Sequence, residues 1–230
     1  MDFQFAGSNA GKAVTVTLDA GEVFTAEVGA MIAMDTSITV ETTSRQAGKS
    51  GGGILKGLRR MFSGENFFLN HFTSHQDGSK LILGPKLVGE IDLHTLEGQS
   101  LIVQGSSWLG SGADVDIDTT WAGFGNALLS GEGIFWVRCS GTGPVLFNAF
   151  GAMYSIQVDG EYVVDSGHIV AFEDTLQFEP TKAADSWASS IFGGEGLASR
   201  FKGHGRLICQ THNPRNLGAA LGPKLKPRSN

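Results

Sequence analysis

One short phrase is written three times along this chain: SGEN from Ser63, SGEG from Ser130 and GGEG from Gly193. Its acids are Glu65, Glu132 and Glu195, at intervals of 67 and 63 residues. The text before each copy also recurs, as "EVGAMIAMDTSITVETT", "VQGSSWLGSGADVDIDTT" and "DSGHIVAFEDTLQFEPT". In each, a glycine (Gly29, Gly105, Gly167) takes the same place and opens a short apolar segment. After a break, an alternating stretch sets Ile38 and Val40, Val115 and Ile117, or Leu176 and Phe178 on one face. Period-two alternation is the mark of a half-buried strand. An acid occupies the same step each time: Glu41, Asp118 and Glu179.

Further strands follow each Gly-Glu, in "NFFLNHFTS", "GIFWVRCSG" and "GLASRFKGHG". Glycine-centred breaks come next, at Gln76-Asp77-Gly78, Gly141-Thr142-Gly143 and Gly203-His204-Gly205, and then "KLIL", "PVLFNAF" and "RLICQTH". This pattern predicts hairpins. The chain therefore reads as all-β: three tandem β-sandwich-like repeats with pseudo-threefold symmetry and short capping helices or turns. The units span about 1–88, 89–150 and 151–214, ahead of a flexible tail at 215–230. Glycine supports this, with 33 of 230 residues scattered beside β-branched and aromatic neighbours, as many tight turns require. A unit of about 60 residues buries too little surface to be comfortable alone, so the three are expected to pack side by side.

The linker before each Gly-Glu varies in sequence but stays apolar at its ends. In the first, Ile54, Leu55, Leu58, Met61 and Phe62 fall at helical spacing, with Lys56, Arg59 and Arg60 facing elsewhere. Such segments either plug the ends of their units or form a contact surface for another subunit, a partner or a lipid headgroup. Leu58, Phe62, Trp121, Phe124, Trp187 and Phe192 are the candidates for that surface. Glu65, Glu132 and Glu195 read as structural acids that accept backbone N–H groups or pair with arginine, because a catalytic acid is rarely needed three times in one chain.

Signals for chemistry are weak. Asp114, Asp116 and Asp118 share a strand face, but only the third acid recurs at the matching steps, which favours a solvated face over a calcium site. Asp165, Ser166 and His168 are neighbours on a strand-like segment and point to different faces, unlike a triad. His71 and His75 lack HExxH context. "GKSGGGILKG" lacks the order of a phosphate loop. No catalytic residue, cofactor or metal ligand is assigned. Cys139 and Cys209 sit in apolar runs and read as reduced core thiols. A net charge of −6 gives no electrostatic footprint for nucleic acid. With no basic start leading into an apolar stretch and no 18-residue apolar window, the expected address is the cytoplasm.

The segments "VGAMIAMD", "GGGILKGLRRMFSGENFFLNHFTS", "SGEGIFWVRCSGTGPVLFNAFGAM", "VVDSGHIVAFED" and "FGGEGLASRFKGHGRLICQT" resemble the altered-inheritance-of-mitochondria (mitochondrial biogenesis) family, in its uncharacterised bacterial branch. The resemblance runs from about Phe5 to Asn213. It implies three repeats like the fold of the tryptophan RNA-binding attenuation protein, and self-assembly with a trimer of nine units in a ring as the suggested arrangement. It implies no catalytic residues. The expected function is a non-enzymatic homo-oligomeric β scaffold or binding module of unknown ligand. The alternatives are a ligand- or metal-binding enzyme with a site between repeats, near His168 or the Asp114–Asp118 strand, and a membrane-surface-associated assembly factor using Ile54–Phe62.

Overall fold

A computed structural model describes residues 1–8, 11–43, 68–118, 135–181 and 198–226. The protein is all-β, with one short α-helix among the described residues. The first third of the chain supplies β1 (Asp2–Ser8), β2 (Gly11–Leu18), β3 (Val23–Glu27), β4 (Met31–Met34), β5 (Ile38–Thr43), β6 (Leu69–Ser74) and β7 (Ser79–Leu83). The middle supplies β8 (Ile91–Glu97), β9 (Leu101–Gln104), β10 (Trp108–Gly112), β11 (Val115–Asp118) and β12 (Trp136–Asn148). The last third supplies β13 (Met153–Asp165), β14 (Ile169–Glu173), β15 (Leu176–Thr181) and β16 (Ala198–Gln210).

Two sheets result. One is the four-stranded β1-β2-β7-β4; the other runs β13-β16-β14-β9-β12-β10-β3-β6-β5, with β8 and β11 joined to β12 and β15 to β16. The alternating stretches of the sequence are β5, β11 and β15. Their recurring acids lie opposite basic or imidazole side chains, Glu41 facing His71, Asp118 facing Arg138 and Glu179 facing Arg200. Opposite charges at the Asp118–Arg138 and Glu179–Arg200 positions favour the register. The buried side chains gather in three clusters, one around Phe24, Phe72 and Leu81, one around Leu96, Trp108 and Phe147, and one around Phe172, Phe201 and Leu207.

The hairpins expected at the glycine-centred breaks are absent. β12 and β16 run straight through Gly141-Thr142-Gly143 and Gly203-His204-Gly205 as single strands. Gly141, Gly143 and Gly203 hold φ of +105°, +131° and +126°, which L side chains rarely adopt. The strands pass through these residues without reversing. The N-terminal part of β12 pairs with β9 and β11, and its C-terminal part with β8 and β10. The turn at Gln76–Gly78 likewise joins β6 and β7, which pair with different strands rather than with each other. The three aligned glycines also do different work. Gly29 has φ +89°, whereas a Cβ on Gly105 would strike the Phe135 ring and one on Gly167 the Asn213 side chain.

Three pairings carry the same irregularity. β4 on β7 skips between Met31 and Ala33, β10 on β12 between Trp108 and Gly110, and β14 on β16 between Ile169 and Ala171. Just past the skip, Asp35 Oδ2 accepts the Lys80 N–H at 2.8 Å, and Glu173 Oε2 accepts the Arg206 N–H at 2.9 Å. At the matching step of β10 stands Gly112, and a Cβ there would lie 3.0 Å from Pro144 Cδ. Proline has no N–H to satisfy, so the acid is dispensable where its donor is missing.

Helix α1 (Pro214–Leu221) occupies the tail expected to fray. Its start is fixed by Asn213, whose Oδ1 accepts the Arg215 N–H at 3.0 Å, and by Pro214 in the first turn.

Candidate functional site

Edge strands leave a row of backbone donors and acceptors open, and soluble proteins usually blunt them. Here β4 ends the smaller sheet and β13 ends the larger one. Both edges display apolar side chains. Met31 and Ile32 are 42% and 60% exposed on β4, and Tyr162 and Val163 are each 47% exposed on β13. β13 is 13 residues long, and most of its side chains are exposed. β13 also carries Glu161, whose charge is met by basic groups of the inner strand β16. Arg200 Nη1 lies 3.8 Å and Lys202 Nζ 3.6 Å from the Glu161 carboxylate, and Lys202 also reaches Glu179 at 3.2 Å.

A second cluster sits where β8 meets β16. Arg206 Nη2 donates to His94 Nδ1 at 3.0 Å, and Arg206 Nε lies 3.7 Å from Glu173 Oε1. Because Nδ1 accepts, the proton of neutral His94 is on Nε2, which is enclosed without a hydrogen-bond partner among the described residues. Burial, reinforced by the Arg206 charge, holds His94 below the usual histidine range, against the opposing pull of Glu173 and Asp92. The sign follows from linkage: an unfolded chain takes up this proton more readily than the folded one. The ring's contribution is therefore complete above the unfolded value near 6.5, and is lost as pH falls below it. His94→Gln keeps an acceptor for Arg206 and loses the titration. The decline in thermal midpoint from pH 7.5 to 5 is expected to be shallower in His94→Gln than in the wild type, as measured by calorimetry; equal slopes would refute the assignment.

Residues 3–212 match the family model described as mitochondrial biogenesis AIM24. The chain belongs to this family. It is similar to an uncharacterised protein of Streptococcus pyogenes serotype M6, 28% identical over 220 residues that cover 94% of this chain and 88% of the relative. Its fold is similar to the crystal structure of a Streptococcus pyogenes protein, with a TM-score of 0.78 and 23% identity, covering 97% of this chain and 99% of the other.

In this AIM24 family member, the Gly-Glu acids Glu65, Glu132 and Glu195 lie outside the described residues, as do Leu58, Phe62, Trp121, Phe124, Trp187 and Phe192. The other candidates are placed. Ser166 Oγ shares a hydrogen bond of 2.7 Å with Ser199 Oγ, while His168 Nδ1 donates to Gln210 O at 2.8 Å and its Nε2 stands 3.9 Å from Asp165 Oδ2. His168 and Ser166 thus turn to different partners, and no nucleophile is activated there. His71 is buried between Thr25 Oγ1 at 2.9 Å and Thr43 Oγ1 at 2.7 Å, and His75 Nε2 meets Thr39 Oγ1 at 2.9 Å. Among the described residues, no three His, Cys, Asp or Glu side chains gather in a way that could hold a metal ion. Cys139 and Cys209 are free and buried, and burial pushes each thiol up to about 12. No helix among the described residues is long and apolar enough to cross a membrane.

The open edges of β4 and β13 escape sequence reasoning because "GAMIAMD" and "EYVVD" have the composition of ordinary core strands. The His94 cluster left one signal: a histidine where the first third has Val16, in an otherwise alternating strand.

Proposed function

We propose that this AIM24 protein is a non-enzymatic, homo-oligomeric β scaffold built from three tandem copies of one β unit. The observation that carries this reading is the pair of apolar strand edges at β4 and β13, with Ile32 60% and Val163 47% exposed. An open apolar edge is a template for another chain, and a second copy supplies such an edge at matching concentration. The copies are supported by the skip that recurs in three pairings, and by the acid-to-basic register at Glu41, Asp118 and Glu179. The reading assigns the protein a structural task.

Sedimentation velocity at micromolar concentration tests it. The expected species is a discrete multiple of the 24.3 kDa chain, a trimer of about 73 kDa (three times 24.3 kDa) being the size suggested by the family resemblance. A single 24.3 kDa boundary at all concentrations would end the reading.

A further inference from the structure

We propose that β4 of one copy pairs antiparallel with the outer edge of β13 of a second copy, Ala33 facing Val164, Met34 facing Val163 and Asp35 facing Tyr162 of the neighbour. The inference rests on the homo-oligomer reading and names the surface and register that produce it.

The register comes from two joints inside the chain. β10 pairs with β3 through Gly110–Ala26, Ser111–Thr25 and Gly112–Phe24. β14 pairs with β9 through Ala171–Val103, Phe172–Ile102 and Glu173–Leu101. In both, the first strand is one that carries the skip, and β4 is the third such strand. The skip places Ala33 where Gly110 and Ala171 stand. On the receiving side, Phe24 and Val40 flank Phe72, Leu101 and Ile117 flank Cys139, and Tyr162 and Phe178 flank Phe201. Tyr162 is therefore the counterpart of Phe24 and Leu101, and the edge Tyr162–Val164 is a third receiving strand.

Burial separates made joints from unmade ones. Phe24, Leu101 and Ile102 are fully buried on the receiving strands, whereas their counterparts Tyr162 and Val163 are half exposed. Trp108, Leu109, Ile169 and Val170 are fully buried on the inserting strands, whereas Met31 and Ile32 are half exposed. Among the described residues, one chain therefore has an inserting strand without a receiver and a receiving strand without an insert. They terminate different sheets of the chain. A head-to-tail joint between copies satisfies both at once, adds main-chain hydrogen bonds, and removes the exposed apolar side chains from water. Since every copy offers one of each, the joint continues from copy to copy until it closes.

Disulfide trapping reads the register. The native thiols stay silent because both are buried and raised to about 12. Directly opposed residues of an antiparallel pair have Cα atoms about 4.5–5.5 Å apart, within disulfide reach. Under mild oxidation Met34→Cys/Val163→Cys is expected to give a ladder of covalent multimers, at least about tenfold faster than Met34→Cys/Glu161→Cys, which is offset by two residues, roughly 7 Å along the strand. Each single variant alone is expected to give no ladder. Ile32→Lys, at an exposed position, is expected to raise the dissociation concentration at least about tenfold while leaving thermal unfolding of the chain unchanged. A wild-type oligomer in which the matched pair links no faster than the offset pair, or in which Ile32→Lys assembles normally, overturns this joint and leaves the oligomer reading standing. A wild-type monomer overturns both, including the case in which β13 is reserved for a foreign extended segment.

Discussion

Replacing Phe201 with alanine is expected to destabilise the protein by about 4 kcal/mol, the upper part of the range for truncating a buried phenylalanine. Phe201 is fully buried and lies in an aromatic group with Phe172, Phe178 and Trp136. Its ring meets Phe172 edge-on at 5.1 Å and Phe178 at 5.0 Å, while Phe172 and Phe178 stack at 5.6 Å. Removing the ring takes the edge partner from both and leaves a cavity walled by rigid aromatic faces, which cannot collapse far. In a chain of this size each kcal/mol lowers the midpoint by about 2–4 °C, so a fall of roughly 8–16 °C is expected in a thermal melt. Trp136 stands 5.3 Å from Phe172, and its fluorescence should report the loosening directly. Phe5→Ala, on the exposed strand β1, is the control and should cost under about 1 kcal/mol. A midpoint for Phe201→Ala close to that of Phe5→Ala would show that the third cluster does not hold β13, β15 and β16 together.

The strand alternation legible in "DTSITVETT", "ADVDIDTT" and "EDTLQFEPT" corresponds to β5, β11 and β15, and the acid at the same step faces His71, Arg138 or Arg200. The acids were readable because side-chain period is local. Their partners were not, because β6, β12 and β16 are reached only across the intervening segment. The glycine-centred breaks failed for a related reason. Gly-Thr-Gly looks alike whether the chain reverses or bends, and the difference lies in which distant strands take each half of β12. The exposed edges are illegible too, since Met31 and Ile32 are apolar like the buried Trp108 and Leu109. One further signal is present in the sequence. Acid and donor occur together at Asp35 with Lys80 and at Glu173 with Arg206, and both are gone at Gly112 with Pro144. That covariation within a single chain marks a hydrogen bond kept where it is needed and removed where it is not.

The largest backbone effect is expected at Gly89, where alanine should cost about 3 kcal/mol even though the glycine's φ lies outside the positive range. Gly89 and Gly151 form a parallel bridge. Around it Lys12 N donates to Gly89 O at 3.0 Å, Glu90 N to Gly151 O at 3.0 Å, Gly151 N to Val88 O at 3.0 Å and Ala149 N to Glu90 O at 2.9 Å. The Glu90 carboxylate adds an acceptor for Met153 N at 2.6 Å and stands 3.8 Å from Lys12 Nζ. A Cβ on Gly89 would fall on Ala149 O and lie 2.7 Å from Gly151 N, and both are backbone atoms that no rotamer change can move. To admit the methyl, the bridge must open and several of these bonds must lengthen together. Gly21→Ala separates this packing cost from a conformational one. Gly21 holds φ +85° with nothing within 4 Å of its missing Cβ, so only the left-handed penalty of about 1 kcal/mol applies there. Chemical denaturation should therefore place Gly89→Ala about 2 kcal/mol below Gly21→Ala, with slower hydrogen exchange at Lys12, Glu90 and Gly151 lost in the first variant only. Should the two variants unfold at the same denaturant concentration, the crossing of residues 88–90 and 149–153 would be a compliant contact, and the spacing between the first strands of the chain and its last third would have to be set by the apolar clusters alone.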